Sequence, residues 1–276
     1  MAVAGDVGFE TLFDTAGIAE TAAERLYGAP LRFLKRPRPY VVANFVTTID
    51  GAASLGITDG TDSSAISGHA LADRFVMALL RAAADIVVIG AGTLRASVGH
   101  QWVPQSLVPE YEDVLRAFRE SLGRAPGTAP LVVVTGSGQL PSHVALTEPA
   151  TRVIVVTGPA GATRVRDAFP GLQVIMAGEG ERVSGADVIG ALHRELRAGV
   201  ALCEGGPTLL GTLVAARGVH ELFLTLSPRL SGRDATHPRA ALVEGVAYEP
   251  SALLGATLLS VRRAQNHLLL RYRLQR

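Results

Sequence analysis

Cysteine is almost missing from this chain. Cys203 is the single one among 276 residues, so no intramolecular disulfide forms and no cysteine-built metal site can be assembled. That usage fits a reducing compartment, and the cytoplasm is the expected location. An excess of charge of either sign is missing too: 26 Lys and Arg stand against 25 Asp and Glu, a formal net charge of +1. Without a basic face to neutralise many phosphates, nucleic acid is not an expected partner. A small anionic ligand needs only a few local donors and stays open. No apolar run approaches the roughly 20 residues that span a bilayer, so no membrane partner is expected. Met1–Glu10 carries Asp6 and Glu10 and lacks the basic start and apolar run of a signal peptide. The seven histidines (His69, His100, His143, His193, His220, His237 and His267) have no metal-ligand spacing, and no metal is expected.

What is present is ample apolar material, 48% of residues against 18% charged. It is arranged as short runs alternating with helical patterns. Ile86–Gly90, Leu131–Thr135 and Val153–Thr157 are apolar without alternation, as in strands buried on both faces, and Tyr40–Thr47 and Val200–Glu204 are further strands. Val174–Ala177 is a weaker strand, and Glu221–Leu226 is another strand. Between them, His69–Ala82 places Leu71, Phe75, Ala78, Leu79 and Ala82 at helical spacing, with Ser67 as its expected N-cap. Glu110–Leu122 and Ala186–Ala198 are further helices. Pro207 and Gly218 bracket another, with proline at the start and glycine past the end. Ala256–Arg262 and His267–Leu274 alternate around Ala264-Gln265-Asn266, an expected antiparallel hairpin.

Strands alternating with helices predict an α/β fold: a mainly parallel sheet, mixed by its C-terminal hairpin, with helices on both faces. Residues 1–37 read as an N-terminal extension with a short helix at Thr21–Leu26 and a basic, proline-broken connector at Lys35–Pro39. Residues 38–276 read as one domain.

Three strand-end segments carry chemistry. Gly90-Ala91-Gly92-Thr93 leaves a strand at its carboxyl end, where open α/β sheets place ligands. Its glycines permit close backbone approach to a phosphate or ring, and a tight turn explains them equally well. It is neither a Rossmann fingerprint, since Arg95 takes the third glycine position, nor a phosphate-binding lysine loop. Glu204-Gly205-Gly206-Pro207-Thr208-Leu209-Leu210 turns on two glycines into a helix whose first turn offers free N–H groups, suited to a pyrophosphate. Glu204 is then a ligand-binding or a fold-stabilising carboxylate. Asn44–Gly51 ends the first strand with polar side chains, Thr47 among them, and Asp50 is either an acid or the first half of an Asp-Gly turn.

Together with Thr48-Ile49-Asp50-Gly51, Ser63-Ser64-Ala65-Ile66-Ser67 and Leu80-Arg81-Ala82 with Asp85, these loops form an ordered set. That set resembles the reductase domain of the bifunctional riboflavin-pathway deaminase-reductase and its stand-alone pyrimidine reductase relatives. The resemblance covers Arg38 to about Arg273. It implies a dihydrofolate-reductase-like fold, a homodimer, and NADPH-dependent reduction of the ribose of a ribosylaminopyrimidine phosphate. Carried over by position, Val46, Ala65, Thr93 and Gly206–Leu210 are expected cofactor contacts, with Gly90, Gly92 and Gly205 in the same loops. Ser63, Arg81 and Glu204 are expected substrate contacts, and Thr135-Gly136-Ser137 is a candidate for the adenosine and its 2′-phosphate. Asp50 or Glu204 is the expected proton donor or relay, and Arg81 either pairs a polar part of the substrate or stabilises a helix C-terminus.

The chain departs from the family pattern after Thr93. An acidic stretch and a later phosphate-holding arginine are expected there, and Ala96-Ser97-Val98-Gly99-His100-Gln101-Trp102 stands in their place. His100 and Trp102 line an altered pocket or lie in an exposed loop. The zinc deaminase partner of bifunctional members has no cysteine pattern here. Two further functions therefore stand beside the first: reduction of a pterin or dihydrofolate, which needs a carboxylate and an apolar floor but no phosphate clamp, and non-catalytic NADPH binding.

Overall fold

A computed structural model describes residues 6–33 and 39–275. Residues 35–38 of the expected basic connector lie outside the described residues. The chain begins with β1 (Glu10–Asp14), α1 (Ala22–Tyr27), β2 (Tyr40–Thr47), β3 (Ala52–Ser54), α2 (Asp62–Ser67) and α3 (Leu71–Ala83). Next come β4 (Ile86–Gly90), α4 (Ala91–Ala96), α5 (Glu112–Ser121), β5 (Leu131–Thr135), α6 (Val144–Thr147), β6 (Val153–Thr157), α7 (Pro159–Ala168) and β7 (Gln173–Met176). It closes with α8 (Gly185–Arg194), β8 (Val200–Cys203), α9 (Pro207–Ala215), β9 (Val219–Leu226), β10 (Ala240–Ala241), β11 (Ala256–Ala264) and β12 (His267–Leu274).

Ten strands form one sheet in the order β1-β11-β12-β9-β2-β8-β4-β5-β6-β7. From β9 through β7 every neighbouring pair is parallel, and β1, β11 and β12 add the antiparallel end. This is the mixed, mainly parallel sheet that the apolar runs predict. The runs lack alternation because each strand feeds two cores. Along β4, Val87 and Ile89 enter one apolar layer while Ile86 and Val88 enter the other. The first layer takes Phe75 and Leu79 of α3 with Leu115 and Phe118 of α5. The second takes Val188 and Leu192 of α8 with Leu210 and Leu213 of α9. Each such fully covered side chain contributes about 1.5–3 kcal/mol relative to exposure.

Three local expectations differ from the structure. Ser67 does not cap α3; it is the last residue of α2, and the helix starts at Leu71 behind Ala70. The stretch after Gly90 is not a plain turn, because Ala91–Ala96 is helical. Within the stretch read as an extension, the described residues join the domain: Glu10–Asp14 pairs with β11, and Tyr27, Ala29 and Leu31 are buried in the first core layer. Arg262 of β11 fixes this segment. Its Nε donates to the Tyr27 carbonyl at 2.6 Å, its guanidinium lies 3.9 Å over the Tyr27 ring, and it pairs with Asp14.

Candidate active site

The carboxyl ends of β2, β4, β5 and β8 point to one edge of the sheet, and a cavity of about 850 Å³ opens there. Both glycine loops meet in it. The Gly90 N–H donates to the Gly205 carbonyl at 2.7 Å, and the Glu204 N–H donates to the Val88 carbonyl at 3.0 Å. A Cβ on Gly206 would stand 3.1 Å from the Thr93 Oγ1, so glycine lets the two loops approach. Gly205 sits at φ +114°, a conformation that side-chain-bearing residues rarely adopt, and the Gly205–Gly206 peptide is cis.

Helix α9 begins here. Gly206 is its N-cap without a side-chain cap, Pro207 is its first residue, and the first helical bond runs from the Leu210 N–H to the Gly206 carbonyl at 3.0 Å. The N–H groups of Thr208 and Leu209 precede that bond, and both residues line the cavity. An uncapped helix start of this kind, with the positive end of its dipole, fits a dinucleotide pyrophosphate. At one end the cavity is walled by Thr135, Gly136 and Ser137 with Arg95. Among the described residues, no group of three or more His, Cys, Asp or Glu could hold a metal ion.

The other wall is made of side chains. Arg81, on the last turn of α3, is 1% exposed. Its Nε donates to both oxygens of Glu204 at 2.9 and 3.1 Å, and its Nη2 donates to the Glu204 Oε2 at 2.7 Å. The Nη1 donates to the Val103 carbonyl at 3.2 Å. Arg81 is therefore the basic residue of the last turn of α3 and is committed to Glu204 instead of being a free anion receptor. Its Nη2 also lies 2.9 Å from the His100 Nε2. A guanidinium only donates, so that ring nitrogen accepts and the imidazole proton sits on Nδ1. Burial, then the charge of Arg81, pushes the His100 pKa down to about 3. Trp102 packs edge-on against this ring at 4.8 Å and is buried. His100 and Trp102 belong to the pocket and not to an exposed loop.

The cavity gathers Val46, Ser63, Arg81, Gly90, Gly92, Thr93, Glu204, Gly206, Pro207, Thr208 and Leu209. Five expected site residues lie elsewhere. Asp50 does not line the cavity, because its carboxylate turns away to accept from the Thr48 hydroxyl at 2.5 Å and from the Ser231 and Gly232 N–H groups at 3.1 and 2.8 Å. Those bonds, Thr48 first, hold its pKa well below the usual carboxylate range. The Asp-Gly turn is its structural role, and it has no geometry for proton donation into the cavity. Ala65 faces a smaller recess with Thr48, Leu55 and Arg229. Thr47 and Leu210 are buried in the body of the domain, and Gly205 supports the turn from behind, against Phe45.

Two cavity residues carry no sequence signal of their own. Asp73, in the first turn of α3, is a buried carboxyl; burial pushes its pKa up, against a hydrogen bond with the Thr225 side chain and the charge of His267. Arg74 follows it on the same turn and also lines the cavity. In the sequence both read as ordinary polar positions of an amphipathic helix. Only the seating of α3 against the ends of β2 and β9 turns them inward.

A mixed sheet with its ligand crevice at the carboxyl ends of parallel strands, entered by a glycine-turned helix, defines an α/β domain of the dihydrofolate-reductase-like type. Within that class the chain belongs to the RibD C-terminal domain family, which matches residues 39–265. No curated protein matches it. Among solved structures it is similar to a pyrimidine reductase-like protein from Corynebacterium diphtheriae, at 22% identity and TM-score 0.66, covering 93% of this chain and all of that one. It is also similar to RibD of Acinetobacter baumannii, at 20% identity and TM-score 0.62, over 87% of this chain and 58% of that one. A deaminase/reductase from Thermotoga maritima gives 18% identity and TM-score 0.61, over 86% of this chain and 57% of that one. The chain thus spans less than three fifths of the last two proteins, and these likenesses are of fold.

Proposed function

We propose that this chain is an NADPH-dependent reductase acting on the ribose of a ribosylaminopyrimidine phosphate. The observation that carries the reading is one cavity holding both the uncapped start of α9 and the Arg81–Glu204 pair. The N–H groups of Thr208 and Leu209 would hold pyrophosphate, Val46 and Gly90–Thr93 the nicotinamide, and Thr135–Ser137 the adenosine with its 2′-phosphate. Bound there, NADPH supplies a hydride. Glu204, oriented by Arg81, accepts hydroxyl hydrogen bonds of the substrate, and Ser63 donates beside it. Asp73 holds the proton that passes to the imine nitrogen as its carbon is reduced, and regains it from solvent. Burial suits that carboxyl to the task, since it favours the protonated form. The same family reading implies a homodimer, which sedimentation equilibrium tests by a particle of twice the chain mass.

A second reading, reduction of a pterin or dihydrofolate, is favoured by Asp73 itself, because a buried carboxyl in a cavity that Phe45 and Trp102 also line suits the ring nitrogens of a planar heterocycle. Loss of NADPH absorbance with the two substrates in parallel separates them. Turnover with the pyrimidine alone supports the first reading, and turnover with dihydrofolate alone replaces it by the second. NADPH binding without either turnover leaves a non-catalytic dinucleotide-binding protein.

A further inference from the structure

Three arginines line the cavity, and they differ in their surroundings. Arg81 is spent on Glu204, Val103 and His100. Arg95, which shares its helix with Thr93, donates to the Gln139 carbonyl at 3.3 Å. Arg74 differs. Its Nε is buried with no hydrogen-bond partner, and the one bond of its guanidinium is a long one, from Nη1 to the Leu107 carbonyl at 3.4 Å. Among the described residues no carboxylate forms an ion pair with it. A guanidinium carries five N–H donors and no acceptor, so one with a single long bond has donors left for a ligand.

We propose that Arg74 is the anion receptor of the substrate wall and grips a phosphomonoester through the Nη end of its guanidinium, where charge-assisted donors remain. Ser64 and His69 also line the cavity and supply further donors. This rests on the pyrimidine phosphate reading for the identity of the anion, but not for the existence of the receptor. A guanidinium on α3 then does what the segment 96–102, which has no arginine, cannot do. The carboxylates of a folate tail are the other anionic source that could meet it.

The test is binding of ribose 5-phosphate to the whole protein by calorimetry, with ribose and 4-aminobenzoylglutamate as controls. In the wild type, ribose 5-phosphate binds and ribose does not. Arg74→Ala weakens ribose 5-phosphate by roughly 10–100-fold, the range expected for a lost charge-assisted pair, and Arg74→Lys restores part of it. NADPH affinity and the thermal midpoint stay unchanged, which separates the effect from misfolding or a cofactor role. The proposal is overturned if ribose 5-phosphate does not bind, if Arg74→Ala leaves its affinity intact, or if only the aminobenzoylglutamate affinity or the NADPH affinity falls. Phosphate binding through Arg74 without turnover of the pyrimidine would keep the receptor and remove the pathway reading.

Discussion

The two walls of the cavity are built from different materials. On the side proposed for the dinucleotide the lining is largely main chain, at Gly90, Gly92, Gly206 and the first turn of α9. On the side proposed for the substrate it is side chains of α3 and of the segment after α4, namely Asp73, Arg74, Arg81 and His100, together with Glu204. A wall of backbone depends on glycine and proline at fixed places, whereas a wall of side chains depends on how a helix is seated. The first tolerates exchange of its side chains but not of its backbone geometry. The second can acquire a new specificity from a single substitution.

The sharpest break of this contrast is at Asp73. Asp73→Asn keeps the shape and removes the proton, and turnover is expected to fall about 10²–10⁴-fold with NADPH affinity unchanged. The pH dependence of stability gives an independent reading. Burial raises the Asp73 pKa in the folded chain, so the native state holds this proton more tightly than the unfolded chain does. Stability is therefore lost as pH rises from about 4, the ordinary carboxylate value, through the raised folded value. Urea denaturation of Asp73→Asn should lack that loss. An unchanged pH slope and unchanged turnover together would remove Asp73 from the site.

Next in size is the pair that joins the walls. The side chains of Arg81 and Glu204 are only 1% and 6% exposed. Removing the cation in Arg81→Ala leaves a buried carboxylate unpaired and is expected to cost about 3–5 kcal/mol of folding stability. The double variant Arg81→Met with Glu204→Leu should recover most of that stability while turnover stays lost. If Arg81→Ala costs under about 1 kcal/mol in denaturant unfolding, water reaches the pair and the wall is more open than its burial indicates.

The same contrast explains what the sequence made legible. The apolar runs at Ile86–Gly90 and Leu131–Thr135 have no alternation because both faces are covered, and that pattern is enough to predict a buried parallel sheet. The start of α9 is announced by Gly205-Gly206-Pro207, since local conformational demand writes itself into local sequence. The N-terminal strand was not legible: Glu10–Asp14 is exposed along most of its length, and it becomes a strand only through its long-range pairing with β11. Asp50 misleads for a related reason. Its partners Ser231 and Gly232 lie some 180 residues away in sequence, so nothing nearby distinguishes a tied carboxylate from a free one. Arg74 stayed hidden because an arginine in the first turn of an amphipathic helix is ordinary until the empty space beside it is seen.

On the backbone side, a charge placed at the helix start sharpens the comparison. Thr208 is exposed in the first turn of α9. In Thr208→Glu the new carboxylate meets the positive end of the helix dipole, and folding stability should be unchanged or rise by up to about 1 kcal/mol. The same charge repels a pyrophosphate, so NADPH affinity should drop by about tenfold or more at low salt and recover partly at high salt, where charge is screened. Opposite signs in fluorescence titration and thermal unfolding are the expected pattern. Equal NADPH affinity in both proteins would place the dinucleotide elsewhere.

The smallest expected effect lies at His100, and it concerns acid rather than neutral solution. The imidazole is held neutral because it is buried and accepts from Arg81, which pushes its pKa down to about 3. In the unfolded chain the ordinary value of about 6.5 returns, so the unfolded state takes up a proton that the folded state refuses. The contribution of His100 is present in full above pH 6.5 and is lost as pH falls toward 3. His100→Gln keeps an acceptor for Arg81 and removes the titration. Its denaturation midpoint should match the wild type near pH 8 and exceed it increasingly at pH 5 and below, with pyrimidine turnover at pH 8 within a few-fold. If wild type and His100→Gln lose stability in parallel down to pH 4, the ring is charged in the folded protein. The Arg81 guanidinium must then have turned from it toward Glu204 alone, and the substrate wall would be a wall with two cations facing the ligand instead of one.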